Sequence, residues 1–377
     1  PMPVSSLMFM ESKLLALSKR RVEHVKSRLR ELGLDAALVM GGGMGNRRML
    51  RLTGSTSGSV LVIPTEGDPG LVVYPIDRTY ASDHSWVEIH VVSEEDSRRR
   101  DVTPSVEEIL GVAGTPPKPC IGVSGALTAA QEEWAKGRMG AEVKEISEGI
   151  LDPMFSALDP DEWPYQRKIS EVVDVGQEAA YGAIRPGVTT NEVAAEIAAA
   201  ELRAGASGVG YLQVSTGRRS AYSHDSAESV EIRKGDLVLV DLCPSAHGYG
   251  SDETRTYIAG RGEARAVRMI EAVNRSVEAV LANIKLGANA GELDAVSRRS
   301  LAGDGFPSYP HTLGHTLSGC SRPSLRKGSE HLLEAGSVFT VEPGIYDLGY
   351  GGVRIEENVL VTEGGFEVLT KFPRTFI

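Results

Sequence analysis

The chain has 377 residues, 41% hydrophobic and 24% charged, with a formal net charge of −11. Such a length and composition describe a soluble globular protein of roughly two domains of ~100–200 residues each, and the acidic balance argues against a nucleic-acid-binding surface. No apolar run approaches the ~18 residues of a membrane span, Pro1–Met10 lacks the pattern of a secretory signal, and Cys120, Cys243 and Cys320 are too scattered for a disulfide framework, which suits a reducing compartment such as the cytoplasm.

In chain order, Ser12–Gly33 carries apolar residues at helical spacing and ends on a glycine suited to a C-cap. "DAALVM" reads as a buried strand, and "SGSVLVIPTEGDPGLVVYP" as a hairpin around Gly67-Asp68. Strand and helix signals alternate to about Glu148, the pattern of an α/β domain. The Pro- and Asp-rich "LDPMFSALDPDEWP" marks a boundary near residue 155. A helix is expected over Arg167–Ile184. A Pro-Gly turn, a Thr/Asn cap and a second helix ending at Gly205 follow.

The second half of the chain repeats itself. "AIRPGVTTNEV" from Ala183 and "NIKLGANAGEL" from Asn283 share a pattern. Gly235 and Gly336 are each followed six residues later by an acid, Asp241 or Glu342, and seven residues after each acid comes Gly-Tyr-Gly. Two related halves, each of two helices and a strand hairpin, are expected to pack about a pseudo-twofold axis and to deliver an acid from the same place. Asp252 and Glu356 supply a second acid to each half. Strand alternation puts Asp252, Thr254 and Thr256 on one face, and Arg354, Glu356 and Asn358 on another. Four carboxylates gathered in a core resist joint ionisation unless cations neutralise them. Two divalent ions balance four negative charges, and "HTLGHTLSG", with His311 and His315, offers an imidazole. Such a donor set suits Mn²⁺, Fe²⁺ or Co²⁺ better than a structural Zn²⁺.

These segments resemble the pita-bread metallopeptidases, the group of methionine aminopeptidase, aminopeptidase P and prolidase, with creatinase as a non-metal relative. "VDLCPSAHGYGSDETRT" looks like the strand with two metal-binding aspartates, "HTLGHTLSG" like the histidine segment, and "TVEPGIY" and "VRIEENVLVT" like the two glutamate segments. The resemblance implies an α/β (α+β) chain, with an amino-terminal creatinase/prolidase-like α/β domain over residues 1–155 and a pita-bread catalytic domain over residues 156–377. It implies two divalent metal ions, Mn²⁺ first and Co²⁺, Fe²⁺ or Zn²⁺ as alternatives, held by Asp241, Asp252, His315, Glu342 and Glu356. It assigns catalytic roles to His224, His311 and Glu342, and substrate contacts to His224, Arg322 and Arg354. "GRRSAYSHDSA" is the segment that ends in the substrate-site histidine. The implied activity is that of an Xaa-Pro dipeptidase or aminopeptidase in a cytoplasmic homodimer.

The chain departs from the family pattern at Arg322, where a histidine is usual, at Cys243 for glycine, and at Ala246 for tyrosine. Arg322 could grip a carboxylate in two-point fashion. That keeps open a small non-peptide substrate, through creatinase-like C–N hydrolysis or a metal-dependent lyase reaction. An inactive binding module is the remaining alternative, although all five ligand positions are filled. Cys243 and Cys320 read as small wall residues near the site.

Overall fold

The computed structural model describes residues 4–41, 47–225 and 228–375, so Pro1–Pro3 and the last two residues of "GRRSAYSHDSA" lie outside the described residues. No helix among the described residues is long and apolar enough to cross a membrane. The chain forms two compact units, Pro1–Phe155 and Ser156–Ile377.

The first unit opens with a helix over Val4–Leu32. It starts at Val4 rather than Ser12, since no proline or glycine interrupts the run, and Gly33 follows it at φ 64°. A mixed sheet follows, built from β1 (Ala36–Met40), β2 (Val60–Pro64), β3 (Gly70–Val73), β4 (Glu88–Val91), β5 (Cys120–Ser124) and β6 (Glu142–Glu145), in the order β4-β3-β2-β1-β5-β6. β2 and β3 form the hairpin expected around Gly67. β1 to β3 are almost wholly buried, as continuous apolar strands with both faces covered must be.

In the second unit, helices Trp163–Ala183 and Thr190–Ala204 precede a three-stranded sheet of β7 (Leu212–Thr216), β8 (Leu237–Leu242) and β11 (Glu253–Ile258), with β8 central. A small hairpin, β9 (Ser245–Ala246) and β10 (Tyr249–Gly250), joins β8 to β11. Helices Ala264–Leu281 and Ala290–Gly303 come next. β12 (Gly314–His315) pairs with β13 (Ser324–Leu325), and β15 (Gly344–Asp347) with β16 (Gly351–Arg354). A second three-stranded sheet holds β14 (Val338–Val341), β17 (Glu357–Thr362) and β18 (Gly365–Val368).

The internal repeat is visible atom by atom. Thr189 and Asn289 cap equivalent helices, accepting from the N–H groups of Glu192 and Glu292. Gly187 and Gly287, at φ 91° and 77°, donate to the carbonyls of Ile232 and Leu333. Gly235 and Gly336 turn at φ 91° and 90° before the acid-bearing strands. Each half packs its helix pair on its own sheet. Val173, Val193 and Ile197 lie in one core with Val238 and Val240, while Val273, Val277 and Leu293 lie in another with Phe339 and Val359.

One buried side chain fits this core poorly. Glu201 is fully buried on helix Thr190–Ala204, and neither carboxylate oxygen has a protein hydrogen-bond partner. Gly176 on the neighbouring helix leaves it room, since a Cβ there would lie 2.6 Å from Oε1. Burial pushes the Glu201 pKa up to about 8, from an ordinary 4.5. Between these two values the folded state binds more protons than the unfolded one, so stability falls as pH rises from 4.5 to 8 and levels off above. Glu201→Gln is expected to melt like wild type at pH 5 and to be more stable at pH 8 by on the order of 3 kcal/mol. Thermal melts at the two pH values decide it. An equal shift at both would contradict the buried-acid account.

Candidate active site

Asp241 sits near the end of β8, the central strand of its sheet, opposite Thr254 on β11 and Gln213 on β7. A central position buries it. The β9–β10 hairpin turns through His247 and Gly248 at φ 52° and 79°, the two left-handed residues that a tight two-residue hairpin needs. It returns the chain with Asp252 beside Asp241. In the other half, Gly314 lets β12 approach β14 very closely: a Cβ there would fall 1.9 Å from the Thr340 carbonyl oxygen. The Thr340 hydroxyl then accepts from the His315 N–H at 3.1 Å and donates to Glu342 Oε1 at 3.3 Å.

These elements meet at Asp252. His315 Nε2 lies 3.4 Å from Asp252 Oδ2 and 3.7 Å from Glu342 Oε1. Ligand atoms of Asp252, His315 and Glu356 lie within 4.8 Å of one another, and so do those of Asp241, Cys243 and Asp252. The five expected ligand residues therefore converge, with Asp252 common to both groups.

The strand expected through "VRIEENVL" is broken. β16 ends at Arg354 and β17 begins at Glu357. The Glu356 N–H instead donates to the Thr254 carbonyl at 3.0 Å, and the Glu356 carbonyl accepts from Arg255 Nη1 at 2.5 Å. The break keeps Arg354 and Glu356 on the site side. Glu356 Oε2 accepts from the Thr254 hydroxyl at 2.7 Å. Arg354 donates to Asp241 Oδ2 at 2.6 Å, to the Thr254 and Tyr346 hydroxyls, and to the Ser223 carbonyl.

The electrostatics follow from burial. Burial raises Asp241 to about 7 in spite of Arg354, and raises Glu342 to about 7. Glu356 is driven well above the usual carboxylate range by burial, with Asp252 adding to it. Burial also pushes Asp252 up, but its contacts with His315 and Cys243 outweigh this and hold it low. Burial pulls His315 down, yet Asp252 and Glu342 hold it at about 9. Four carboxylates thus share too little positive charge. Asp241 Oδ1 and Glu356 Oε1 are buried with no protein hydrogen-bond partner, although buried polar atoms are almost always satisfied. An O-rich set with one imidazole and two unsatisfied oxygens fits divalent cations.

The two other histidines differ. His311 has both ring nitrogens engaged, Nδ1 with the Thr312 carbonyl and Nε2 with the Tyr346 hydroxyl, each at 2.7 Å. Since the carbonyl can only accept, Nδ1 is assigned the proton and Nε2 accepts from Tyr346. Burial depresses this imidazole to about 4, which leaves it neutral at pH 7. His224 is exposed, edge-on to Tyr211 with ring centroids 5.8 Å apart. Its neighbours are anchored: Ser223 by Arg354, and Asp225 by Arg219 through two nitrogens.

Arg322 is not drawn into the cluster. Among the described residues its guanidinium makes no hydrogen bond or ion pair with the carboxylates, and its carbonyl accepts from Cys320 Sγ at 3.0 Å. Cys243 lies against the carboxylates, where its Sγ donates to Asp252 Oδ1 at 3.2 Å, and burial pushes its thiol far above the usual range. Sequence reasoning placed Thr254 on the site face but passed over Tyr346 and Thr340, and all three orient ligand or arginine side chains. Of the two passed over, only Tyr346 left a signal, two residues beyond Gly344 in "TVEPGIY".

The comparisons agree with this geometry. An Xaa-Pro dipeptidase of Pyrococcus furiosus is 33% identical over 262 residues, covering 68% of this chain and 75% of that protein. The prolidase structure from Pyrococcus horikoshii superposes with a TM-score of 0.84 at 26% identity, over 95% of this chain and all of that one. An Xaa-Pro dipeptidase structure from Bacillus anthracis gives 0.85 at 27% identity, over 96% of this chain and 99% of that one. The fold is the pita-bread fold of these neighbours. Residues 165–363, the span that carries every ligand position discussed above, match the model of metallopeptidase family M24, and the chain belongs to that family.

Proposed function

We propose that this chain hydrolyses Xaa-Pro dipeptides with two divalent cations held by Asp241, Asp252, His315, Glu342 and Glu356. The observation that carries the reading is the meeting of both acid pairs and one imidazole around Asp252. Dipeptidases and prolidases among the relatives and structural neighbours support the substrate class. Mn²⁺ suits the oxygen-rich donors, with Co²⁺, Fe²⁺ and Zn²⁺ as the other candidates. Three free thiols suit a reducing compartment, and we place the protein in the cytoplasm.

Such cations supply Lewis acidity and lower the pKa of water at the site. The chain's own residues do the rest. The water oxygen bonds to the carbonyl carbon while the C–N bond to proline breaks. Glu342 takes a proton from the water and delivers it to the departing nitrogen. His224, on its anchored segment, donates to the carbonyl oxygen as negative charge develops there. Arg354 orients Asp241 and favours its ionised form against the cost of burial. His311, neutral and doubly bonded, positions Tyr346 and through it Arg354.

The test is a substrate panel. Chain loaded with Mn²⁺ is incubated with Xaa-Pro dipeptides, longer Xaa-Pro peptides and creatine-like compounds, and the products are separated. Proline released from dipeptides is the expected result. Retained metal with no proline released from any peptide would overturn it.

A further inference from the structure

Cys243 has no task in the hydrolytic scheme, yet it occupies ligand space. Its Sγ lies within 4.8 Å of ligand oxygens on both Asp241 and Asp252, the same spread that groups Asp252, His315 and Glu356. The backbone beneath it is fixed. The Cys243 N–H donates to the Tyr211 carbonyl at 2.9 Å, and Gly210 packs so closely that a Cβ there would lie 2.2 Å from the Cys243 carbonyl oxygen. A second observation concerns an acid grouped with this thiol: Asp241 Oδ1 is buried without a protein hydrogen-bond partner, while Oδ2 is committed to Arg354. Imidazole serves one side of Asp252, and sulfur stands on the other.

We infer that Cys243 Sγ is a sixth protein ligand, which makes the Asp241–Asp252 side a mixed oxygen and sulfur site. This rests on the dinuclear reading above and deepens it. On cation binding an S–cation bond forms, the S–H bond breaks, and its proton leaves to solvent with no change of oxidation state. Thiolate donors favour borderline and soft ions, so this side takes Co²⁺, Zn²⁺ or Cd²⁺ in preference to Mn²⁺. The two cation positions therefore differ in selectivity.

Cobalt reports the bond directly. The full chain is stripped with a chelator, kept reduced and anaerobic, and titrated with Co²⁺. Wild type is expected to show visible d–d bands and a near-ultraviolet sulfur-to-cobalt charge-transfer band. Cys243→Ala and Cys243→Ser keep d–d bands and lose the charge-transfer band, and their preference for Co²⁺ over Mn²⁺ falls by about tenfold or more. Cys320→Ala keeps the band, which excludes the thiol bonded to Ser318 and the Arg322 carbonyl. Circular dichroism checks that each variant is folded, and the serine variant stands in if the alanine one is not. Wild-type d–d bands without charge transfer would overturn the sulfur ligand and leave the dinuclear reading intact. No cobalt uptake by wild type would overturn both.

Discussion

Asp252→Asn is expected to give a folded chain that retains little divalent cation and loses kcat/KM by about a thousandfold or more, a barrier increase of about 4 kcal/mol. Asp252 belongs to both ligand groups, so its loss cannot be confined to one. Asparagine has the same shape but lacks the charge, and its amide hydrogens would point at a cation. The fold should survive because asparagine keeps the side chain's shape, and the loss of a charge that His315 and Cys243 favour is offset in part by relief of the three raised acids around it. Asp241 and Glu342 stand near 7 and Glu356 well above its usual range, each raised first by burial. A raised carboxylate keeps its proton in the folded state after the unfolded chain has released it. Stability of the cation-free protein therefore falls as pH rises from about 4 to 7, and removing one neighbouring charge relieves part of that slope. Cation-free Asp252→Asn should remain folded at pH 7 but melt somewhat below cation-free wild type, because His315 loses the partner that holds it at about 9. Added Mn²⁺ should raise the wild-type midpoint and leave the variant unmoved. Elemental analysis, melts with and without metal, and proline release measure the three effects. An Asp252→Asn protein that turns over substrate at the wild-type rate would sink the site.

Much of the site was legible because its signals are local. Gly187, Thr189 and Glu192 announce a turn and a capped helix by themselves, and the same spacing at Gly287, Asn289 and Glu292 exposes the repeat. Once the repeat is seen, Asp241 and Glu342 occupy matched positions and their convergence follows. Alternation placed Thr254 and Arg354 on the site faces, and the structure puts Thr254 between Arg354 and Glu356. What stayed hidden depends on partners far away in the chain. The break at Ile355-Glu356 exists because Arg255 and Thr254 take up Glu356's backbone groups, and nothing in "VRIEENVL" records that. Arg322, expected to grip a substrate carboxylate, makes no bond to the ligand carboxylates among the described residues, and its carbonyl accepts from Cys320 Sγ. The contact of Cys243 with Asp252 spans a two-stranded hairpin whose geometry is set by the left-handed turn at His247-Gly248, and the residue types alone do not fix that reach.

Arg255 carries the largest expected effect on stability. It is fully buried and lies between two acids, 2.6 Å from Glu253 Oε1 and 3.2 Å from Glu357 Oε2. Its guanidinium also donates to the carbonyls of Thr254, Glu356, Phe372 and Pro373, so one side chain joins β11, the break before β17 and the carboxy-terminal segment. Asp174 completes that anchor by accepting from the N–H groups of Lys371 and Phe372. Arg255→Met fills similar space but leaves Glu253 and Glu357 buried against each other, with Arg374 at 3.3 Å and the Thr370 hydroxyl remaining on Glu357. Breaking a buried ion pair from one side costs about 3–5 kcal/mol, which for a unit of this size lowers the melting midpoint by about 10 °C. Lysine keeps the charge yet cannot span four carbonyls, so Arg255→Lys should recover only part of the loss. Adding Glu253→Gln to Arg255→Met should recover more than the lysine does, because the dominant cost is the stranded charge and Glu253 is already raised well above its usual range by burial. The site should feel the change as well. With the Glu356 carbonyl released, cation affinity should weaken even where the variant remains folded, and a metal titration below the melting range reads this separately from stability. A midpoint within about two degrees of wild type for Arg255→Met would show that the guanidinium is not what holds these segments together.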